Sequence, residues 1–183
     1  MKLKEIKNYV TDGEYSVSMG IKYLVERIGD WVVEDNLEVN SDFQRGHVWT
    51  ESQQIEWVEY FLMGGKSGRT LYFNAAWWGD FDKSKFEYID FVLVDGLQRL
   101  TAIKRFVADN LPIFDGYYIS DFEDSLKRRV LRYNLTININ SLRSKREVLT
   151  WYIQMNAGGT PHTQAEIDKV EALLNAEKLI GGL

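Results

Sequence analysis

The spacing of apolar residues changes abruptly near residue 95, and this change constrains the fold more than any other feature. Residues 88–94 form an apolar, β-branched run interrupted only by Asp90, which predicts a strand buried on both faces. From Leu97 to Val107 the apolar residues follow a helical spacing instead. Only Asp95 and Gly96 separate the two segments. The sequence therefore predicts a strand, a tight turn and a helix in direct succession.

Further helices are predicted on both sides of this unit. Apolar residues at helical spacing predict a helix within Val17–Val33. Capping boxes, in which Ser or Thr is followed three residues later by Glu or Gln, mark the starts of other helices. They occur at Thr50, Ser144 and Thr163, and the last two predict helices near residues 145–156 and 164–175.

The predicted strands are few and alternate with helices along the chain. Leu71–Phe73 indicates a short strand, and Tyr133–Ile139 alternates apolar with polar residues, as a half-buried strand does. We therefore expect an α+β fold, in which a small mixed sheet is flanked by helices at both ends. A chain of 183 residues suits one domain, so residues 1–183 are predicted to form a single unit.

Charge and composition narrow the classes of function. Lys and Arg total 22 against 27 Asp and Glu, a formal charge of -5. Proteins that coat nucleic acid through bulk electrostatics are usually basic, so any DNA contact would have to come from a local patch. The chain has no cysteine, which excludes thiolate metal sites, and no apolar run near the roughly 20 residues that span a bilayer. Met1–Glu5 lacks a signal-peptide pattern, and we expect a cytoplasmic protein without membrane contact.

The predicted turn at Asp95 and Gly96 has the chemistry of an anion site. Gly96 lets the backbone approach a ligand closely, and the free N–H groups at the start of a helix favour phosphate. Arg99 offers a planar fork for phosphate oxygens, while Asp95 can hold Mg²⁺ or orient a water molecule. A structural alternative is that Asp95 caps the helix and Arg99 pairs with a carboxylate. The residues alone leave both interpretations open.

Two more polar clusters flank this turn in the sequence. Gln44 and Arg45 precede the capped helix at Thr50, and they can supply a second phosphate contact and a bond to base, ribose or phosphate. Asn156, followed by Gly158 and Gly159, fits a helix C-cap and turn. This third cluster gains a function only if the fold brings its amides near the other two.

Basic residues form a separate run that can touch a nucleic-acid backbone. The run consists of Lys127, Arg128, Arg129 and Arg132. Its structural alternative is a solvated charged face. Residues 64–69 are also basic and glycine-rich, but they are not a Walker A loop, because Tyr60 stands where that motif requires glycine.

The three polar clusters, in this order, resemble the N-terminal domain family of GmrSD-type restriction endonucleases, which is similar to the ParB/sulfiredoxin-like fold. The family's Asp-Gly-Gln-Gln-Arg-Leu-Thr hallmark is matched at residues 95–101, except that Leu97 replaces the first glutamine. Its Phe-Gln-Arg-x-x-x-Trp segment is matched at residues 43–49. Its Asn-x-Gly-Gly-Thr-Pro segment is matched at residues 156–161, and Glu166 follows as in the family.

The resemblance implies a domain that binds a nucleoside triphosphate and acts in defence against modified or foreign DNA, often beside a separate HNH-type nuclease. It assigns catalytic roles to Asp95 and Arg99, with Mg²⁺ held by Asp95. The implied nucleotide contacts are Gln44, Arg45, Gly96, Gln98, Thr101, Asn156, Gly158 and Gly159.

Three functions remain open at this point. The first is binding of a nucleoside triphosphate, with or without Mg²⁺-dependent hydrolysis. The second is a non-catalytic module that binds nucleotide, DNA or a partner protein, as Leu97 in place of an amide side chain suggests. The third is a DNA nuclease of the ParB-like type, which the acidic composition and the lack of a recognisable metal cluster disfavour.

Overall fold

The computed structural model describes residues 13, 15–44, 46–78, 84, 86, 88–156, 168–170 and 172–176. Within this part of the chain, four strands form a mixed sheet in the order β1-β4-β2-β3. The strands are β1 (Tyr15–Gly20), β2 (Thr70–Asn74), β3 (Val92–Asp95) and β4 (Asn134–Asn140). β4 is antiparallel to β1 and parallel to β2, and β2 is antiparallel to β3.

Helices flank this sheet and complete the predicted α+β architecture, which is confirmed. They are α1 (Ile21–Glu34), α2 (Glu51–Leu62), α3 (Leu97–Val107), α4 (Asp124–Val130) and α5 (Lys145–Asn156), with a 3-10 turn at Ile119–Asp121. None of the helices in the described residues has the length and apolar character needed to cross a membrane.

Two capping boxes begin helices as the sequence predicts. The Thr50 hydroxyl accepts from the Gln53 N–H at 3.3 Å, and the Gln53 side chain accepts from the Thr50 N–H at 2.9 Å. Ser144 and Glu147 make the same reciprocal bonds at the start of α5, at 3.1 and 3.3 Å. The third predicted box, at Thr163, lies outside the described residues.

The predicted helix within Val17–Val33 is wrong over its first residues. The chain there forms β1, and α1 begins only at Ile21. The reason is tertiary: Val17 lies opposite Ile137 in an antiparallel ladder with β4, and this pairing continues to Gly20. The helical stripe that motivated the prediction begins at Ile21, which is fully buried, as is Leu24.

Two strands also differ from their predictions. β3 begins at Val92 rather than at residue 88, since its partner β2 ends at Asn74, directly opposite Val92. β4 is not half-buried as predicted, because it lies between β1 and β2 and its Asn138 and Asn140 are buried. The amide oxygen of Asn138 accepts from the N–H of Gly13 at 2.9 Å, which satisfies a buried polar group.

The sheet separates two apolar clusters. Helices α1, α2 and α3 pack with Leu93 on one face, while α5 packs with Val92 and Val94 on the other. Successive residues of a strand point to opposite faces, so β3 contributes to both clusters. The end of β3, where the candidate site begins, is therefore fixed by packing from both sides.

Candidate functional site

The chain turns tightly between β3 and α3, as predicted. Gly96 is the N-cap of α3 and has a φ of 113°, a left-handed conformation that glycine adopts at little cost. A Cβ atom at this position would also clash with the side chain of Leu71 on β2. Both the backbone conformation and the lack of space therefore require glycine.

The N-terminus of α3 is not capped by a side chain. Gly96 provides no capping hydrogen bond, and the first turn contains no acidic residue. The first N–H groups of a helix lack partners within the helix and carry the positive end of its dipole. The start of α3 is therefore suited to an anion. One half of the structural alternative, in which Asp95 is the helix N-cap, is wrong, because Gly96 occupies that position. The other half is confirmed, since Arg99 pairs with a carboxylate, that of Asp95.

Asp95 and Arg99 form an ion pair one helical turn apart. Arg99 also donates from Nη1 to the carbonyl oxygen of Thr70, at 2.7 Å, which ties α3 to the first residue of β2. The side chain of Arg99 is 15% exposed and that of Asp95 is 33% exposed. The two predicted catalytic groups therefore neutralise each other at the edge of the site.

Gln44 reaches the same strand end from the first polar cluster. Its Nε2 donates to the carbonyl oxygens of Leu93, at 2.6 Å, and Val94, at 3.3 Å. The residue is 8% exposed, and its Oε1 is buried without a hydrogen-bond partner in the described part of the chain. An unpaired buried acceptor costs about 1–3 kcal/mol, so this oxygen is an unsatisfied polar group beside the strand end.

Gln98 joins α3 to the segment that follows Gln44. Its Nε2 donates to the carbonyl oxygen of Gly46 at 2.7 Å. Its Oε1 accepts from the N–H groups of Val48, at 3.0 Å, and Trp49, at 3.1 Å. These bonds bring the first two polar clusters together at the start of α3. The predicted contact of Gln98 with nucleotide stays a prediction.

Thr101 uses its hydroxyl within the helix, donating to the carbonyl oxygen of Leu97 at 2.8 Å. Its contact with nucleotide likewise stays a prediction. Arg45, the other cation predicted for the first cluster, lies outside the described residues.

The third polar cluster follows a helix that packs beside the site. Tyr152 on α5 meets Phe43 edge to face, with ring centroids 5.2 Å apart. α5 ends at Asn156. The side chain of Asn156 is not described, and Gly158 and Gly159 lie outside the described residues, so their roles stay predictions.

The described residues contain no group of three or more His, Asp or Glu side chains that could hold a metal ion. Mg²⁺ is commonly bound by one or two carboxylates together with substrate phosphates and water. Asp95 is a single carboxylate of this kind, and its role as a Mg²⁺ ligand stays a prediction.

The predicted basic run lies apart from these contacts, on α4 and just after it. Arg128, Arg129 and Arg132 are exposed, whereas Lys127 is half-buried. Sequence reasoning missed Ser41 and the Thr70 carbonyl oxygen, which the fold places against the predicted residues. The Ser41 hydroxyl is buried without a hydrogen-bond partner in the described part of the chain, and no local motif marks it.

No model of a protein family, no curated protein and no solved structure matches this chain. The resemblance to GmrSD-type N-terminal domains therefore rests on the three polar clusters in the sequence, and it stays a prediction.

Proposed function

We propose that this chain binds a nucleoside triphosphate, with the phosphates at the N-terminus of α3. One observation carries the proposal: hydrogen bonds from Gln44 and Gln98 bring two polar clusters, far apart in sequence, to the uncapped start of one helix. Such a helix start favours phosphate through its N–H groups and its dipole. A buried acceptor oxygen on Gln44 lies at the same strand end.

The charges at the site suit a phosphate bound with Mg²⁺. Arg99 can move from Asp95 to a phosphate oxygen, which accepts the same planar fork of N–H groups. Asp95, released from Arg99, can then bind the cation that accompanies the triphosphate.

The proposal covers binding of the nucleoside triphosphate and not its hydrolysis. Hydrolysis needs a group that orients the attacking water, and the apolar Leu97 stands where the family pattern has an amide. The resemblance further supports a setting in DNA restriction or phage defence, with a separate nuclease as partner. Nuclease activity of this chain itself is not proposed.

Thermal unfolding in the presence of nucleotides tests the proposal. Each of the four ribonucleoside triphosphates, and inorganic triphosphate, would be added with and without Mg²⁺. A ligand at about 100 times its Kd stabilises a protein by about 2.7 kcal/mol. For a chain of this size that corresponds to a rise in melting temperature of roughly 5–10 °C.

Arg99→Ala should lose most of this rise, and Arg146→Ala is the matched control, because Arg146 is an exposed cation on α5. Phosphate release measured in the same samples separates binding from hydrolysis. If no triphosphate changes the melting temperature of the wild-type protein, the proposed binding site does not exist.

A further inference from the structure

A second surface, separate from the contacts at the start of α3, is formed around α4. Three adjoining grooves border this helix in the described part of the chain. The first and second share Arg128 and Arg132, and the second and third share Arg129 and Tyr133. Because neighbouring grooves have residues in common, they adjoin one another, and together they are here called the α4 groove.

Both cations and aromatic rings line the α4 groove. Lys22 and Tyr23 from α1 line its first part beside Arg132. Arg129 donates to the hydroxyl of Tyr133 at 3.4 Å in the middle part. Aromatic residues also line the third part, namely Phe114, Tyr117 and Phe122. The exposed fraction of Tyr23 is 58%, so its ring is open to a ligand.

The guanidinium groups of Arg128 and Arg132 are free to pair with a ligand. Neither side chain makes an ion pair or a hydrogen bond with another described residue, and both residues are exposed. The acidic side chain in the first part is Glu26, which pairs loosely with Lys22 at 3.9 Å. Asp121 and Glu123 line the third part, so the positive charge is concentrated in the first two parts.

We propose that the α4 groove binds a single-stranded nucleic acid, with its phosphates on the three arginines and its bases stacked on Tyr23 and Tyr133. Surfaces that bind single strands combine cations that follow the backbone with aromatic rings on which unpaired bases stack. A duplex keeps its bases stacked on one another and would leave these rings without a role. A local patch of this kind can bind a polyanion although the chain has a formal charge of -5.

Fluorescence anisotropy with a labelled 20-nucleotide oligothymidylate and a labelled oligouridylate tests the proposal at low salt. The Arg128→Glu/Arg132→Glu variant should bind at least tenfold more weakly than the wild type. Its matched control is Lys104→Glu/Arg146→Glu, which makes the same change in net charge at exposed positions outside the groove. Equal affinity of the two variants, or no binding by the wild-type protein, would overturn the proposal.

Salt dependence provides a second measure. For single strands the logarithm of the binding constant falls by about 0.7 per phosphate contact for each tenfold rise in salt. The Arg128→Glu/Arg132→Glu variant should therefore have a slope shallower by roughly 1.4. An unchanged slope would mean that these arginines do not contact phosphate, which contradicts the proposal.

The Tyr23→Ala variant separates the contribution of base stacking to affinity from that of the phosphate contacts. Loss of one stacked base weakens binding by about fivefold or more, and the exposed side chain contributes little to folding. Circular dichroism spectra and melting temperatures of all variants would verify that each one folds. The single-strand assignment is wrong if Tyr23→Ala binds the oligonucleotide as tightly as the wild type does. It is also wrong if a 20-base-pair duplex binds more tightly than the single strand, or if polyglutamate competes for the groove as well as an unlabelled oligonucleotide does.

Discussion

At the residue scale, two glutamines show what the sequence predicts about the candidate site and what it does not predict. Both were predicted to contact nucleotide, because the resemblance of their motifs to GmrSD-type N-terminal domains implies it. The structure shows Gln98 bound to the backbone of Val48, 50 positions away, and Gln44 bound to Leu93, 49 positions away. Local patterns contain no information about such long-range partners. The sequence therefore identified the polar residues of the candidate site but not how they are held.

Gly96 gives the clearest prediction at this scale. Gly96→Ala should destabilise the protein for two reasons. Alanine is strained at the left-handed φ of 113°, and its Cβ would clash with the side chain of Leu71. Gly64→Ala is the matched control: its φ is 95°, but a Cβ there meets nothing within 4 Å. The left-handed conformation alone costs roughly 1–2 kcal/mol.

In urea denaturation, Gly96→Ala should lose clearly more free energy of unfolding than Gly64→Ala does. Equal losses would mean that Leu71 does not press against the turn.

At the element scale, helices were easier to predict than strands. The capping boxes at Thr50 and Ser144 and the apolar stripe of α3 are local signals, and each begins or follows a helix in the structure. The predicted helical segment included Val17–Gly20 of β1, because the pairing of β1 with β4 involves residues more than a hundred positions away, such as Val17 with Ile137. Strand pairing also determines where β3 begins, opposite the end of β2, and it buries β4 between β1 and β2.

The junction between α3 and the 46–49 segment gives a prediction at this scale. Gln98→Ala removes three hydrogen bonds that hold this segment to the start of α3. We expect a loss of about 2 kcal/mol in the free energy of unfolding, since each net hydrogen bond contributes about 0.5–1.5 kcal/mol.

Urea denaturation followed by tryptophan fluorescence would measure this loss, because Trp49 lies in the segment. Lys104→Ala, an exposed change on the same helix, should cost less than about 0.5 kcal/mol. A Gln98→Ala variant as stable as this control would show that the segment is held by other contacts.

At the scale of the whole molecule, the two apolar clusters share the sheet. Leu93 belongs to one cluster and its neighbours Val92 and Val94 to the other, so neither cluster can lose its packing without exposing β3. The order β1-β4-β2-β3, with a parallel pair at its centre, depends on long-range pairing and could not be derived from local patterns. The fold class could be predicted because it depends only on which elements occur.

This shared strand predicts that the protein unfolds as one unit. Thermal unfolding followed by circular dichroism and by tryptophan fluorescence should give a single transition with coincident midpoints. Trp151 reports on one cluster and Trp31 on the other. Two separated transitions would show that the chain contains independently folding units.

The central proposal, a nucleoside triphosphate bound at the start of α3, is tested most directly by locating the ligand. Two-dimensional ¹H–¹⁵N NMR spectra of the labelled 21.3 kDa protein would be recorded during a titration with ATP and Mg²⁺. We expect the largest amide shifts at Gly96, Gln98 and Arg99, with smaller ones near Gln44. Amide shifts absent from the start of α3, or largest around Arg128 and Arg132, would contradict the proposal.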